Sequence, residues 1–255
     1  LAGMLRTQNI SSEIIEPAAS HITHEQIIQT IAAKNPSIIC VGAFPSTLHD
    51  AYITINLIKQ KFPDKTIILE GYHINADPSI IIHLGIPYGI RGDAEYSFLE
   101  FCQSILKGET PRTDLPGLVI NHRGMLKVNE PEVIRDLDAL PMPAYDMLPI
   151  GNYYSASTNK TYMKFFTTRG CPYDCNFCAS APQMKYRYMS NQNVVKRLDI
   201  LVNKLGVEWV EFMDLTFTVN KRRTIEMCDA IINAGLKLDW GCETRADKID
   251  EELVL

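Results

Sequence analysis

Residues 165–178 read Phe-Phe-Thr-Thr-Arg-Gly-Cys-Pro-Tyr-Asp-Cys-Asn-Phe-Cys, and the interpretation of the whole chain depends on this stretch. Cys171, Cys175 and Cys178 follow a C-x3-C-x2-C spacing on a loop that also carries a glycine and a proline. Three thiolates returned so closely by one loop can bind a single metal centre, and soft sulfur ligands select zinc, copper or an iron–sulfur cluster. In a four-iron cluster, three thiolates would leave one iron open for chemistry.

Two structural explanations of these cysteines fit the spacing less well. A structural zinc site normally has four ligands in two C-x2-C-like pairs, and the other candidates (Cys228, Cys242 and His122) are distant and unpaired. A disulfide framework is typical of small secreted chains, whereas this chain has 255 residues. The spacing therefore favours a metal cluster.

Composition excludes several functional classes. Hydrophobic residues make up 46% of the chain and charged residues 22%, which is ordinary for a globular protein. The net charge of −5 does not indicate a nucleic-acid partner or an anionic membrane surface. No apolar run reaches the length of a membrane span, so we expect no integral membrane segment. Seven cysteines without regular pairing are typical of a cytoplasmic protein.

The first 107 residues alternate between strand and helix patterns. Apolar runs at 37–42 and 66–71 predict buried strands, the first of them buried on both faces, and a further short strand is predicted at 13–16. A short helix predicted at 78–84 leads to residues 88–91. Helical periodicity lies between the strands, and one helix begins at Thr23 with the capping-box spacing to Gln26. This order predicts an α/β fold, a partial Rossmann-like, doubly wound sheet. Such sheets bind ligands in the loops at the carboxyl ends of their strands, here 43–47, 71–73 and 92–95.

The pattern changes after residue 107. Residues 118–128 predict a hairpin with glycine at its turn, and a proline-rich run up to residue 150 predicts a semi-rigid linker. From 151 to 255, three strand patterns alternate with two helix patterns, which predicts the first part of a (β/α) barrel. Asp214 and Arg245 end two of these strands, where barrels carry functional groups. The residues alone also allow Asp214 to cap a helix and Arg245 to form an ion pair with Glu243.

The cysteine loop, with Phe177 before its last cysteine, resembles the radical S-adenosylmethionine (SAM) superfamily. Residues 1–107 resemble the cobalamin-binding domain that precedes the barrel in one large group of these enzymes. That group has G-G-x-H where this chain has Glu70-Gly71-Tyr72-His73, and R-G-E-G-E where it has Arg91-Gly92-Asp93-Ala94-Glu95. Residues 136–143 are similar to the group's D-L-D-x-L-P-x-P linker, and 212–218 and 244–247 to its F-x-D-D-x-F-T and T-R-A-D segments, with Leu215 replacing the second aspartate.

The resemblance implies cofactors and contacts. Cys171, Cys175 and Cys178 would hold a [4Fe-4S] cluster whose fourth iron binds SAM, and reduction would release a 5′-deoxyadenosyl radical. The SAM contacts would be Phe177, Asp214 and Arg245. The cobalamin contacts would be Phe44, Ser46, Thr47, Gly71, Tyr72, His73, Gly92 and Glu95. The chain starts without Met and stops at 251–255, in a run that reads as a helix barely begun, so we expect it to be truncated at both ends and to lack the first strand of its first domain. The group's D-x-H-x-x-G and G-I-E-S-G motifs would then lie outside these residues. We expect residues 1–255 alone not to turn over.

Three functions remain open from the sequence. The leading hypothesis is a cobalamin-dependent radical SAM enzyme that catalyses methyl transfer or radical ring formation or rearrangement on a small molecule, with an external electron donor of the flavodoxin or ferredoxin type. The second keeps the radical chemistry without cobalamin, as in methylthiotransferase-like relatives, and leaves the first domain as a platform that binds nothing. The third is a non-catalytic metal-binding or electron-transfer module.

Overall fold

The computed structural model describes residues 1–155, 158–178 and 185–254 and divides into two compact units, Leu1–Val133 and Ile134–Leu255. The helices are α1 (Ala2–Thr7), α2 (Pro17–Ser20), α3 (His24–Lys34), α4 (Leu48–Lys61), α5 (Tyr72–Ala76), α6 (Ile80–Leu84), α7 (Glu95–Leu106), α8 (Asn191–Asp199), α9 (Lys221–Asn233) and α10 (Glu251–Val254). The strands are β1 (Ile38–Gly42), β2 (Thr66–Glu70), β3 (Tyr88–Ile90), β4 (Leu118–His122), β5 (Met125–Val128), β6 (Tyr154–Ser155), β7 (Lys160–Phe165), β8 (Thr168–Arg169), β9 (Arg187–Tyr188), β10 (Trp209–Phe212) and β11 (Asp239–Cys242).

The first unit is a five-stranded sheet with helices on both faces. Its strands run in the order β1-β2-β3-β4-β5, and the first three are parallel. Ile67 and Leu69 of β2 pack in one core with α3 and α4, whereas Ile68 packs in a second core with Phe98 and Phe101 of α7. Alternate residues of one strand thus serve opposite faces. The predicted α/β fold is confirmed.

Two local predictions in this unit differ in outcome. The capping box of α3 is formed, with Gln26 N donating to Thr23 Oγ1 at 3.3 Å and Thr23 N donating to Gln26 Oε1 at 2.8 Å. The strand predicted at 13–16 is wrong, because these residues pair with no strand of the described chain. β1 is an edge strand, and Cys40 on it is exposed, so the prediction that β1 is buried on both faces is also wrong.

The predicted hairpin forms but belongs to the first sheet. β4 pairs antiparallel with β3 as well as with β5. Arg123 and Gly124 at the turn have φ of 52° and 86°, the positive values that a tight two-residue hairpin turn needs. The side chain of Asn121 accepts a hydrogen bond from Gly124 N at 2.9 Å. Residues 108–150, predicted as one connector, are therefore divided between the two units.

The proline-rich run is a packed strap (residues 134–149) of the second unit rather than a linker. Its apolar side chains Ile134, Leu137 and Leu140 are buried. Arg187 Nη1 donates to the carbonyl oxygen of Ile134 at 2.8 Å, and Asp138 accepts from Ser190 N at 3.0 Å, at the start of α8. The linker prediction is corrected, because the apolar residues of this run are buried in the second unit and do not remain exposed as in a free linker.

The second unit contains the predicted β-α-β-α-β order. Its main sheet runs β11-β10-β7-β6, with β7, β10 and β11 parallel and Phe212 opposite both Phe165 and Cys242. The aromatic rings of Phe165, Phe212, Phe217 and Trp240 pack together over this sheet. Parallel alignment places the carboxyl ends of β7, β10 and β11 at one edge. None of the helices in the described residues is both long enough and apolar enough to cross a membrane.

Candidate functional site

The cysteine loop is closed at its base by a short strand pair. β8 and β9 are antiparallel, with Thr168 opposite Tyr188 and Arg169 opposite Arg187. All three predicted cluster cysteines lie between these strands in the chain, and β8 itself follows the carboxyl end of β7. Gly170 begins the loop with a φ of 77°, a conformation that favours glycine. The two ends of the loop are thus held together by β8 and β9.

Asp214 fastens this base from the end of β10. Its Oδ1 accepts hydrogen bonds from Thr167 N at 2.7 Å and Thr168 N at 2.8 Å, and its Oδ2 accepts from Thr167 Oγ1 at 2.5 Å. The side chain is 1% exposed. Burial raises the pKa of Asp214, and the hydrogen bonds from Thr167 and Thr168 offset only part of that effect. Both carboxylate oxygens are therefore engaged in positioning the backbone that enters the cysteine loop.

Arg223 fastens the same base from α9. Its Nη2 donates to the carbonyl oxygens of Thr167 and Met189, both at 3.3 Å, and so bridges the chain entering β8 to the chain leaving β9. The guanidinium carbon lies 5.1 Å from the ring centroid of Tyr188, within the range of a cation–π contact. Arg223 is 5% exposed. Two buried residues of opposite charge thus meet at Thr167.

The three cysteines are partly exposed, and none forms a disulfide in the described chain. Cys178 N donates to the carbonyl oxygen of Cys175 at 3.0 Å, which closes a turn over the C-x2-C segment. Cys171 Sγ lies 3.7 Å from Thr216 Oγ1. Within residues 1–155, 158–178 and 185–254, no three His, Cys, Asp or Glu side chains are gathered into a metal-binding group. The donor chemistry fits an iron–sulfur cluster, and a metal site of this kind is rarely gathered before its metal binds.

Arg245, after β11, contacts the cysteine loop at two points. Its Nη1 lies 3.4 Å from Cys175 Sγ, and its guanidinium carbon lies 4.4 Å from the ring centroid of Tyr173. Asp247 accepts from Nε at 2.9 Å and from Nη2 at 3.2 Å. The hydrogen bonds to Asp247 raise the pKa of Arg245, which keeps the guanidinium charged. The third strand end therefore reaches the same loop as Asp214.

The three predicted SAM contacts lie in one region but differ in exposure and in the groups that they contact. Arg245 and Asp214 lie at adjacent strand ends, Arg245 beside the cysteines and Asp214 buried beneath them. The ring of Phe177 is 89% exposed on the C-x2-C turn. The contacts of Asp214 give it a structural role that the sequence did not predict. Binding of SAM by these three residues stays a prediction.

The carboxyl edge of the first sheet is assembled through backbone contacts. Ala43 N donates to the carbonyl oxygen of Glu70 at 2.8 Å, and His73 N donates to that of Ala43 at 3.1 Å. Gly71 has a φ of 106°, and a Cβ at this position would lie 2.6 Å from the oxygen of Ala43. The loops after β1 and β2 thus approach each other so closely at Gly71 that no side chain fits there.

Aromatic side chains project from this edge. The rings of Phe44 and Tyr72 stack at a centroid distance of 6.3 Å and are 50% and 44% exposed. Thr47 Oγ1 accepts from Phe44 N at 3.2 Å and holds the first loop, while Ser46 is exposed. Exposed stacked rings beside a glycine cradle fit a large planar ligand such as a corrin.

The loop after β3 is joined to the same edge by Asn75. Its Oδ1 accepts from Gly92 N at 2.8 Å, and its carbonyl oxygen accepts from Arg91 Nη2 at 3.2 Å. Burial raises the pKa of Glu70, and the nearby Glu95 raises it further. The predicted cobalamin contacts therefore share one edge. Whether they bind cobalamin stays a prediction.

Sequence reasoning missed several residues that build these edges. Asn75 and Thr167 are polar positions beside predicted loops, and the Thr167-Thr168 pair at the end of an apolar strand was a usable signal. Arg223 gave no signal, because a basic residue in the first turn of an amphipathic helix usually faces solvent. Tyr173 and Asp247 lie within three residues of predicted site residues but were not singled out.

The chain is similar in sequence to a known domain family and to several known proteins. Residues 1–101 match the B12 binding domain family. The chain is 30% identical over 259 residues to the uncharacterized methyltransferase PH0819 of Pyrococcus horikoshii, covering 99% of this chain and 55% of that protein. It is 25% identical over 265 residues to the anaerobic magnesium-protoporphyrin IX monomethyl ester cyclase of Rubrivivax gelatinosus, covering 100% and 47%.

A solved structure supports the fold. The cobalamin-dependent S-adenosylmethionine radical enzyme OxsB, with aqua-cobalamin and S-adenosylmethionine bound, superposes with a TM-score of 0.80 at 20% identity. The match covers 97% of this chain and 36% of OxsB. The chain thus spans about half the length, or less, of the proteins it matches. With its C-x3-C-x2-C loop after a barrel strand and its match to the B12 binding domain family, the chain is similar in sequence and in fold to radical SAM proteins that carry an N-terminal cobalamin-binding domain.

Proposed function

We propose that the full-length protein is a cobalamin-dependent radical SAM enzyme that transfers a methyl group to a small-molecule substrate. The observation that carries this proposal is the fixed cysteine loop, with all three thiols between β8 and β9 and its base held by buried Asp214 and Arg223. Methyl transfer is favoured by the similarity to a methyltransferase that covers nearly the whole chain.

Each edge has a defined task in this proposal. Cys171, Cys175 and Cys178 hold the cluster, which when reduced supplies one electron to split the sulfonium C–S bond of SAM. The exposed rings of Phe44 and Tyr72 and the cradle at Gly71 hold cobalamin, with Ser46, Thr47, His73, Gly92 and Glu95 around it. Phe177 and Arg245 contact SAM, whereas Asp214, whose two carboxylate oxygens are both engaged, supports the loop that carries the cluster. The electron comes from an external donor of the flavodoxin or ferredoxin type, and the enzyme works in the cytoplasm.

Anaerobic reconstitution of the full-length protein tests the proposal. We expect four irons and four sulfides per chain, corrin absorbance that stays with the protein, and an electron paramagnetic resonance spectrum of the reduced cluster that changes on adding SAM. Cys171→Ser should abolish the spectrum, whereas Cys228→Ser on α9 should leave it unchanged. Zinc without iron would refute the proposed radical SAM activity. A cluster without corrin would support the cobalamin-independent alternative.

Ring formation is a second candidate, because a relative that matches the entire chain is a cyclase. Methyl-labelled SAM separates the two reactions when the full-length enzyme is incubated with an extract that contains its substrate. Label transferred to an acceptor molecule supports methyl transfer. Label that remains in methionine, with 5′-deoxyadenosine as the other product, supports ring formation.

A further inference from the structure

The described chain contains two arginine–aspartate pairs of the same local geometry, one in each unit. Arg112 donates from Nε and Nη2 to the two carboxylate oxygens of Asp114, at 3.1 and 3.0 Å. Arg245 donates from the same two nitrogens to Asp247, at 2.9 and 3.2 Å. In each pair the aspartate lies two residues after the arginine. A guanidinium whose Nε and Nη2 both bind one carboxylate has a fixed orientation. Its Nη1 is then left to donate to a third group.

The third group differs between the pairs. Arg112 Nη1 lies 3.1 Å from the carboxylate of Glu100, an anion. Arg245 Nη1 lies 3.4 Å from Cys175 Sγ, and a cysteine sulfur becomes an anionic thiolate when it binds a metal. The chelated guanidinium therefore presents the same donor to a carboxylate in one unit and to a predicted cluster ligand in the other.

A second contact fixes Arg245 against the same loop. The ring of Tyr173, between the first two cluster cysteines, lies 4.4 Å from the guanidinium carbon, and Lys248 Nζ lies 5.7 Å from the centroid of that ring. Cation–π contacts of this kind orient a guanidinium over a ring face. Tyr173 and Cys175 of the cysteine loop, together with Asp247, thus hold Arg245 in place.

We propose that Arg245 is a positioning residue that donates a hydrogen bond to the Cys175 sulfur of the bound cluster and raises the reduction potential of that cluster. The inference deepens the proposed function and rests on it. Reduction adds a negative charge to the cluster, and hydrogen bonds to ligand sulfurs are among the factors that set the potential. Although the Arg245–Asp247 pair is neutral overall, its positive end faces the sulfur.

This assignment leaves room for SAM. A guanidinium has five N–H groups, and the three contacts to Asp247 and Cys175 occupy three of them. The potential of the cluster therefore has to be measured without SAM, so that loss of a SAM contact cannot imitate loss of the sulfur contact.

The test is an anaerobic redox titration of the reconstituted full-length protein, followed by electron paramagnetic resonance. We expect Arg245→Gln to load iron and sulfide as the wild type does. Its ratio of reduced to oxidised cluster at one fixed potential should fall about tenfold, which for one electron corresponds to a shift of about 59 mV toward more negative values. Arg245→Lys should recover part of the shift, and the double variant Arg245→Gln/Asp247→Asn, which removes both charges of the pair, should keep most of it.

Arg112→Gln is the matched control, because it breaks the same type of chelate at a carboxylate. Its titration should coincide with that of the wild type. An unchanged potential in Arg245→Gln, or an equal shift in Arg112→Gln, would overturn the inference. If Arg245→Gln assembles no cluster, the double variant Arg245→Gln/Asp247→Asn takes its place: a normal potential overturns the inference and a lowered one supports it. A wild-type protein without a cluster would refute the proposed function itself.

Discussion

The carboxyl edges of the two sheets are built by different means. In the first unit, backbone contacts between Ala43, Glu70 and His73 shape the edge, and the side chains of Phe44 and Tyr72 remain exposed. In the second unit, the buried charged side chains of Asp214 and Arg223 bind the loop base from beneath. The first edge is thus shaped by backbone contacts, whereas the loop of the second edge is supported by buried charged side chains.

The difference matches what each edge is proposed to hold. A corrin is wide and makes many weak contacts, so a backbone-built edge with exposed rings suits it. A cluster is small, and its ligands have to be fixed closely, so the loop that carries them needs a rigid support. If this comparison is correct, the second edge should be most sensitive to loss of a polar side chain and the first to a change in backbone shape.

The largest effect is expected from Asp214→Ala. The substitution leaves Thr167 N, Thr168 N and Thr167 Oγ1 without their acceptor in a buried site, which should destabilise the second unit by roughly 3 to 5 kcal/mol. Urea unfolding followed by tryptophan fluorescence measures it, because both tryptophans of the chain, Trp209 and Trp240, lie in the second unit. Iron loading of the full-length variant should fall in parallel.

Two controls test the cause of that loss. Asp250→Ala removes an exposed carboxylate that pairs with Lys221, and it should cost less than about 1 kcal/mol. Thr167→Ser keeps the hydroxyl donor to Asp214, whereas Thr167→Val removes it at nearly constant volume. A Val variant as stable as the wild type would mean that this hydrogen bond contributes nothing.

A smaller effect, in the other unit, is expected from Gly71→Ala. Its φ of 106° and the 2.6 Å approach to the Ala43 oxygen should together destabilise the first unit by about 2 to 3 kcal/mol. Gly108→Ala is the matched control, since Gly108 has a φ of 75° but no atom within 4 Å of the added Cβ, and about 1 kcal/mol is expected. Hydrogen exchange of peptides from β1 and β2, read by mass spectrometry, measures both.

Equal protection in the two glycine variants would show that backbone conformation alone, and not the close approach to Ala43, sets the shape of this edge. Loss of protection in the second unit would contradict the assignment of the effect to the first. The corrin absorbance of the full-length Gly71→Ala variant should also decrease relative to Gly108→Ala.

Local patterns allowed most elements and both edges to be predicted from the sequence. The alternation of strands and helices, the capping box at Thr23 and the cysteine loop all depend on residues close together in the chain. The failures concern distant partners. The strand at 13–16 lacks a neighbouring strand in the described chain, and the proline-rich strap packs on a surface that its own sequence does not reveal.

The supports of the cysteine loop were the least predictable part of the site. Asp214 meets Thr167 across 47 residues, and Arg223 meets it across 56. Charged residues ordinarily read as solvent-facing, so their burial against one backbone segment follows only from the three-dimensional structure. The thiols themselves could be assigned from spacing, because one loop carries all three.

The smallest effect, and one of opposite sign, is expected from Glu70→Gln at the first edge. Asp214 is buried among donors, but Glu70 is partly buried near a second carboxyl group, and burial together with Glu95 raises the pKa of Glu70. A carboxyl group whose pKa is raised in the folded state stabilises that state below its unfolded pKa of about 4.3, and this stabilisation is lost as the pH rises through the folded pKa. The wild-type first unit should therefore become less stable between pH 4 and neutral pH, and Glu70→Gln should flatten this decline. Hydrogen exchange of β2, corrected for intrinsic rates, measures both profiles, with the exposed Glu109→Gln as the control. A variant that is less stable than the wild type at neutral pH would show that the Glu70 carboxylate is held by favourable contacts, as Asp214 is, and would remove this distinction between the two edges.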